Sequence, residues 1–172
     1  MKFQIPAPLA NEHQALRPFL LVASKEAGAL GAAAQRLERL LQPHMHKEEN
    51  FALPPLGLLA DIARGRLDPE MAEVFAYTDW LKEHVADMRA EHRMLAAALE
   101  EVAHAARSAG ALECVQYAEK LTSHMRLEEE VLYPAAILVG EYLALKLGRK
   151  TAERTQGPGN SALYDSVERH LE

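Results

Sequence analysis

The stretch HMRLEEEVLYP, from His124 to Pro134, has a near-twin earlier in the chain, HMHKEENFALP, from His44 to Pro54. The two stretches share a histidine, a methionine, two glutamates and a proline at the same five offsets, and they begin 80 residues apart. In each, the first glutamate follows the histidine by four residues, which places both side chains on one face of a helix. Because a solvated charged surface has no reason to repeat at such a register, the pattern predicts two similar helical hairpins.

The composition is typical of a single helical domain. The chain has 172 residues, of which 49% are hydrophobic and 26% charged, and a chain of this length can bury one sizeable core. Alanine, leucine, glutamate and arginine dominate, whereas aromatic residues make up only 6%, and this balance favours helix over sheet. We therefore predict an all-α protein.

Charge and cysteine content narrow the choice of partner and location. The formal net charge is -6, which argues against a nucleic-acid partner because phosphate binding requires a basic surface. A lone cysteine, Cys114, excludes an internal disulfide and fits a reducing compartment. The N-terminus lacks the apolar region of a signal peptide, and no apolar run approaches the roughly 20 residues of a membrane span. We expect a cytoplasmic protein that binds neither nucleic acid nor membrane.

Turn-forming residues divide the chain into four long segments with apolar residues at helical spacing. The four predicted helices cover, in order, about residues 9–26, 29–53, 69–107 and 112–148. A short extra helix is expected at 56–64, in the connection between the second and the third. Together they predict an up-down-up-down four-helix bundle over residues 1–150. Residues 151–172 form a C-terminal tail that can pack on the bundle or on another chain.

Each predicted helix carries one histidine on its apolar stripe. These layer histidines are His13, His44, His92 and His124. Neighbouring members are equidistant from the turn between their helices, and His44 and His92, for example, are equidistant from Asp68. Residues equidistant from a hairpin turn lie at the same height in such a bundle. We therefore expect the four imidazoles to face the core in one layer.

Two glutamates join this layer, because Glu48 and Glu128 each stand four residues after a layer histidine. Glu49 and Glu129, one residue further on, are expected to rotate toward the helix flank. Buried carboxylates are costly unless they are paired or bind a metal. Imidazoles with carboxylates suit iron, manganese or zinc, and two metals bridged by the glutamates would use two histidines each. The predicted metal ligands are His13, His44, Glu48, His92, His124 and Glu128.

Helical phase also assigns the residues around Glu128. Leu127 and Val131 continue the apolar stripe of His124, and Val131 is expected to cover the site one turn further on. Tyr133 stands nine residues after His124 and is expected to point nearly opposite it, as a packing residue.

These motifs resemble those of the hemerythrin-like family, also called HHE cation-binding domains. The similarity covers about residues 9–148 and rests on Glu12-His13, on Glu91-His92 and on the two stretches quoted above. It implies a four-helix bundle that holds two iron ions bridged by carboxylates. It further implies a protein that binds, senses or detoxifies O2, nitric oxide or peroxide, or one that supplies iron for iron–sulfur clusters.

The third helix departs from the oxygen carriers of that family, which place two histidines one turn apart there. Here the positions one turn from His92 are Met88 and Ala96, and His84 lies two turns away. Two histidines per metal favour reactivity toward small oxidants, or metal exchange, over reversible oxygen carriage.

Other function classes stay open from the sequence. A metal-free structural bundle would explain any single His-x-x-x-Glu motif, since such pairs are common on helix surfaces. A ferritin-like carboxylate enzyme would need two Glu-x-x-His motifs, and we find only Glu101 with His104. The sequence does not decide whether the protein is an enzyme, and a helical bundle of this kind is compatible with a homodimer.

Overall fold

The computed structural model describes residues 3–149, and across that range every regular element is helical. Its α-helices are α1 Ala7–Ala23, α2 Gly28–Lys47, α3 Leu59–Ala63, α4 Val74–Ala109, α5 Leu112–Leu127 and α6 Tyr133–Lys146. Two 3-10 turns, Pro54–Leu58 and Pro69–Glu73, precede α3 and α4. The first of them and α3 occupy the place of the predicted short helix. The predicted tail, residues 151–172, lies outside the described residues.

Two one-turn π-helices extend the rods of the bundle. The first π-turn, Glu48–Ala52, continues α2, and the second π-turn, Glu128–Leu132, joins α5 to α6. The four rods are thus α1, α2 with its π-turn, α4, and α5 with its π-turn and α6. Consecutive rods pack on each other, and α5 also packs on α1. The predicted up-down-up-down four-helix bundle is confirmed.

Local sequence explains the two reversals that bracket α4. The carboxylate of Asp68 accepts a hydrogen bond from the Glu70 backbone N–H at 2.8 Å, which caps the turn leading into α4. At the other end, Gly110 adopts a left-handed conformation with φ of 72° and stops the helix. Because α5 begins two residues later, α4 and α5 are forced side by side.

The core contains three apolar clusters, and two of them lie on either side of a polar layer. Along α4, Met88 belongs to one cluster and Leu95 to the other, with His92 between them. The first cluster includes Leu16, Leu20, Leu37, Leu41, Leu99 and Leu121. The second includes Phe51, Leu53, Trp80, Leu81 and Tyr133. None of the described helices combines the length and the apolar character that a membrane span requires.

Each π-turn contains one residue more than an α-helical turn. The N–H of Leu53 donates to the carbonyl of Glu48, five residues back, at 2.9 Å. In the same way, the N–H of Tyr133 donates to the carbonyl of Glu128. One extra residue rotates everything after it by about 100° relative to an uninterrupted α-helix.

This rotation overturns two expectations about the fourth rod, and a third fails just before it. Val131, predicted to cover the site, is 50% exposed, whereas Tyr133, predicted to point away, is completely buried. Both predictions are wrong because they assumed a constant helical phase beyond His124. Leu127, predicted in the apolar stripe, is 42% exposed. It lies at the edge of that stripe, where the helix begins to widen.

Candidate metal centre

The four layer histidines meet at the centre of the bundle as two pairs. His13 of α1 and His124 of α5 bring their Nε2 atoms within 3.1 Å. The rings of His44 of α2 and His92 of α4 lie 4.5 Å apart between centroids. All four side chains are buried. The structure thus brings together the histidines that the turn positions placed at one height.

Glu128 lies between the two pairs and is 1% exposed. Its Oε1 atom is 2.9 Å from Nε2 of His124 and 3.4 Å from Nε2 of His13. Its Oε2 atom is 3.5 Å from Nε2 of His92. One carboxylate therefore reaches both histidine pairs with different oxygens, as a bridging ligand must.

Glu48 faces Glu128 from the other side of the layer. Its Oε1 atom lies 3.2 Å from Nε2 of His44 and 3.7 Å from Nε2 of His92. Its Oε2 atom is 3.9 Å from Nε2 of His13. The two glutamates hence face each other across the layer, and each spans the gap between the pairs.

Two groups of these inward atoms are compact enough to hold a metal ion, since the ligand atoms of each group lie within 4.8 Å of one another. The four-residue position consists of His44, Glu48, His92 and Glu128. The three-residue position consists of His13, His124 and Glu128.

The chemistry of the inward atoms fits a first-row cation. Nε2 of His44 and Oε1 of Glu128 are buried without a hydrogen bond from any described residue. Buried polar atoms almost always find a partner, so unused lone pairs aimed into a layer of nitrogen and oxygen donors indicate a missing ligand partner. Imidazole and carboxylate donors without thiolate suit iron, manganese and zinc.

A second ring of carboxylates surrounds the layer and faces the outer nitrogens of the histidines. These outer carboxylates are Glu12, Glu49, Glu91 and Glu129. Nδ1 of His44 lies 2.8 Å from Oε2 of Glu91, and Nδ1 of His92 lies 2.8 Å from Oε1 of Glu129. A carboxylate at Nδ1 keeps the proton there, so the Nε2 lone pair points inward for a metal.

In the other pair, His13 and His124 differ in their contact with an outer carboxylate. Nδ1 of His13 lies 3.2 Å from Oε1 of Glu49, and that carboxylate also accepts two hydrogen bonds of 2.8 Å from Arg17. Nδ1 of His124 is 3.4 Å from Oε2 of Glu12 and makes no hydrogen bond. Three of the four histidines therefore have a hydrogen-bonded outer carboxylate, and His124 does not.

These outer contacts were not predicted from the sequence. Helical phase places Glu49 and Glu129 on the helix flank, but it does not say where a long side chain ends. Both reach across to the histidine of a neighbouring rod. A signal was present, because the second glutamate of each quoted stretch and the glutamate before His13 and His92 recur in both halves.

The carboxylates also change the proton affinity of the layer. Burial disfavours a charged His13, but the adjacent carboxylates of Glu128 and Glu49 outweigh it and raise the pKa to about 10. The same balance, with Glu48 as a main partner, raises the pKa of His44 to about 9. Burial alone would raise the pKa of Glu48, yet the adjacent histidines hold it well below the usual value. Protons thus occupy the metal-free centre, and a metal must displace them.

Tyr133 enters the layer from the second apolar cluster. Its hydroxyl donates to Oε1 of Glu48 at 2.5 Å and lies 3.4 Å from Nε2 of His92. Burial raises the pKa of this phenol, so the hydroxyl keeps its proton and remains a donor. The expected packing role holds, since Tyr133 belongs to the second cluster, but its expected orientation is wrong, because the second π-turn turns the ring toward the layer.

No fifth histidine reaches the layer within residues 3–149. Met88 is buried one turn before His92, and Ala96 lies one turn after it. Nδ1 of His84 is 2.8 Å from the carbonyl of Trp80, on whose ring the imidazole stacks at 4.4 Å. Each metal position consequently has two histidines.

Comparison with protein families identifies a match over most of the chain. The family model described as Hemerythrin HHE cation binding domain matches residues 5–136, a range that contains all six inward ligands. Neither the curated proteins nor the solved structures give a match to the chain.

Proposed function

Because the chain belongs to the hemerythrin HHE cation-binding domain family, we propose that its layer holds two iron ions and binds, senses or detoxifies O2, nitric oxide or peroxide. The observation that carries this proposal is the meeting of six inward ligands from four rods, with two glutamates that span two histidine pairs. An iron pair in such a site supplies electrons and a binding position for a small oxidant. Manganese or zinc would suit the same donors.

The donor set divides naturally between two ions. His44 and His92 would hold one ion, His13 and His124 would hold the other, and the two glutamates would bridge them. Two histidines with bridging carboxylates are fewer ligands than a six-coordinate ion accepts. This ligand count supports the binding of an external molecule at the centre.

Burial limits the size of that molecule. His13 is completely buried, and apolar clusters cover the layer on both sides. A site enclosed in this way admits diatomic molecules and peroxide through small side-chain motions more readily than an organic substrate. Enclosure therefore favours a small oxidant over a larger substrate.

Tyr133 adds a proton and a constraint to the site. By donating to Oε1 of Glu48, its hydroxyl fixes one bridging carboxylate in the orientation that faces His44 and His92. The same hydroxyl holds its proton next to the inward side chains of Glu48 and His92. Within the described residues, this phenol is the neutral donor nearest to the inward ligands.

Metal analysis tests the proposal. Protein expressed with ample iron should contain about two iron ions per chain. Its optical spectrum should change on reduction with dithionite and change again on exposure to air, nitric oxide or peroxide. A purified protein without any transition metal would contradict the proposal, and one whose spectrum ignores all three oxidants would limit the function to metal binding.

A histidine double variant tests the ligand assignment. His44→Ala with His124→Ala removes one histidine from each position and should abolish most metal binding. The matched control, His46→Ala with His84→Ala, removes two histidines outside the layer and should retain the metal. Equal metal content in the two double variants would reject the assignment.

A second candidate, donation of iron to iron–sulfur clusters, is favoured by the methionine one turn before His92. With Met88 there instead of a histidine, the ligand shell is thinner and should release metal faster. Iron should then pass to an apo iron–sulfur protein faster than it is lost to a chelator. Transfer at the chelator-limited rate would exclude a donor role.

A further inference from the structure

We propose that the centre combines one retained and one exchangeable metal position, so that the protein passes through a stable one-metal form. The four-residue position is the retained one, and the three-residue position is the exchangeable one. This inference rests on the proposed function of the layer and adds a difference in affinity between its halves. It predicts that metal supply changes the number of ions bound rather than switching the centre between empty and full.

The two metal positions differ in how closely the carboxylates approach them. Oε1 of Glu48 lies 3.2 Å from Nε2 of His44 and 3.7 Å from Nε2 of His92, and it completes the four-residue group. Its other oxygen faces the three-residue position from 3.9 Å, measured to Nε2 of His13, and lies outside the compact group there, so Glu48 would bridge the two ions unevenly. A closer second carboxylate strengthens the hold on a cation, so the position at His44 and His92 should bind more tightly.

Both histidines of the four-residue position also have a hydrogen-bonded carboxylate at Nδ1. Both His44 and His92 have a carboxylate oxygen 2.8 Å from Nδ1, supplied by Glu91 and Glu129. Glu91 is in turn ion-paired with Lys47, which holds it in place. Partners of this kind orient the ligand and raise its basicity, and their loss typically costs about 10- to 100-fold in metal affinity.

Support behind the three-residue position is incomplete. His13 has Glu49, which Arg17 holds with two hydrogen bonds of 2.8 Å. His124 has Glu12 at 3.4 Å without a hydrogen bond, and its Nδ1 atom is buried and unsatisfied. Among the described residues, no basic side chain forms an ion pair with Glu12. His124 is therefore the ligand whose orientation is least constrained.

The difference comes from one position in the two quoted stretches. Three residues after the histidine, the first stretch has Lys47 and the second has Leu127. Lys47 binds the outer carboxylate Glu91, whereas Leu127 is 42% exposed and cannot pair with the equivalent carboxylate, Glu12, which has no basic partner within residues 3–149. The helical repeat is shared by the two halves, and this one side-chain difference leaves His124 less constrained than His44.

Metal titration of the intact chain tests the inference. Metal-free protein is titrated anaerobically with Fe2+, and separately with Mn2+, against a competing chelator, and bound metal per chain is counted. We expect two steps whose affinities differ by about 10- to 100-fold. Partial chelation of the loaded protein should leave a form with about one metal per chain.

Exchanging the two side chains identifies which step belongs to which position. Leu127→Lys places a cation beside Glu12 and should tighten the weaker step by several-fold while leaving the tighter step unchanged. Lys47→Leu should weaken the tighter step alone. Leu138→Lys, a charge added at an exposed position of α6, is the matched control and should change neither step.

The outcomes separate this inference from the proposed function. Two ions bound in a single step and lost together would overturn the inference and leave a dinuclear centre intact. The inference also fails if Leu127→Lys alters the tighter step or if Lys47→Leu alters the weaker one. Absence of metal binding would overturn both proposals together. Because Leu127 is exposed and Lys47 is partly exposed, circular dichroism should show an unchanged helical fold.

Discussion

The two hairpins of the bundle carry the same ligands but differ at the residue that follows each π-turn. Nine residues after its histidine, the first hairpin has Leu53 and the second has Tyr133. Both side chains are completely buried, because both π-turns rotate this position into the core. Leu53 offers apolar contacts only, whereas the hydroxyl of Tyr133 donates to Glu48 of the other hairpin.

This difference makes the two inward glutamates unequal. Glu48 receives a hydrogen bond from a phenol, while Oε1 of Glu128 is buried without one. The repeated backbone sets where the ligands stand, and the side chains that are not repeated set how each one behaves. Symmetry of the frame is therefore a poor guide to symmetry of the chemistry.

The largest expected effect is a pH dependence of stability that comes from the histidines of the first hairpin. Burial disfavours the charged forms of His13 and His44, but hydrogen-bonded carboxylates raise their pKa values from 6.5 to about 10 and about 9. An imidazole with a higher pKa in the folded protein stabilises the fold fully below pH 6.5, and this contribution disappears as the pH rises through 9 to 10. Metal-free protein should lose up to about 8 kcal/mol of unfolding free energy across this window, measured by urea denaturation.

Metal-loaded protein is the control for this experiment. Its ligand histidines are already deprotonated at Nε2, so its unfolding free energy should not fall over the same pH range. A flat profile for the metal-free protein would show that the first hairpin does not hold these protons.

Leu53→Ala tests the apolar side of the comparison. Leu53 is completely buried in the second cluster, so the truncation leaves a cavity and should cost about 2–5 kcal/mol of unfolding free energy. Leu145→Ala, at an exposed position of α6, should change the same quantity by less than about 0.5 kcal/mol. Similar urea midpoints for the two variants would refute the inward rotation by the first π-turn.

Tyr133→Phe tests the polar side. The variant keeps the ring and removes the donor to Glu48, so the unfolding free energy should fall by about 1–2 kcal/mol. If Tyr133 served in packing alone, the substitution would be nearly neutral. The second readout is metal affinity, which should fall at the four-residue position and remain unchanged at the three-residue position.

The smallest effect is expected at Val131. This side chain is 50% exposed after the second π-turn, so Val131→Ser should alter the unfolding free energy by less than about 0.5 kcal/mol. Val139→Ser, further along the same rod and buried, should cost several times more. Equal costs at the two positions would mean that the fourth rod continues as a regular α-helix.

The fold and the meeting of the inward histidines and glutamates could be predicted because they depend on quantities that the sequence displays directly. Distance from a turn gives height in a bundle, and a spacing of four residues gives a shared helical face. His44 and His92, equidistant from Asp68, do lie in one layer. No knowledge of side-chain reach is needed for these steps.

The π-turns and their consequences could not be obtained in the same way. Helical phase was extended from His124 to Tyr133 as though every turn held the same number of residues, and the contact that results joins residues 85 apart in the chain. One local signal was available, the proline shared by the two stretches, Pro54 and Pro134. Proline cannot donate to the carbonyl four residues back, so it marks a place where the α-helical ladder is already broken.

The contact between His13 and His124 has a consequence for chain entropy. Their Nε2 atoms are 3.1 Å apart, although 111 residues separate them in the sequence. A metal held by both would tie the first helix to the fourth rod and close a loop through nearly the whole bundle. In the loop-closure treatment used for disulfides, a tie across a loop of this size is worth on the order of 4–5 kcal/mol. Metal supply would then set how long α1 stays docked, and with it the resistance of the chain to proteolysis.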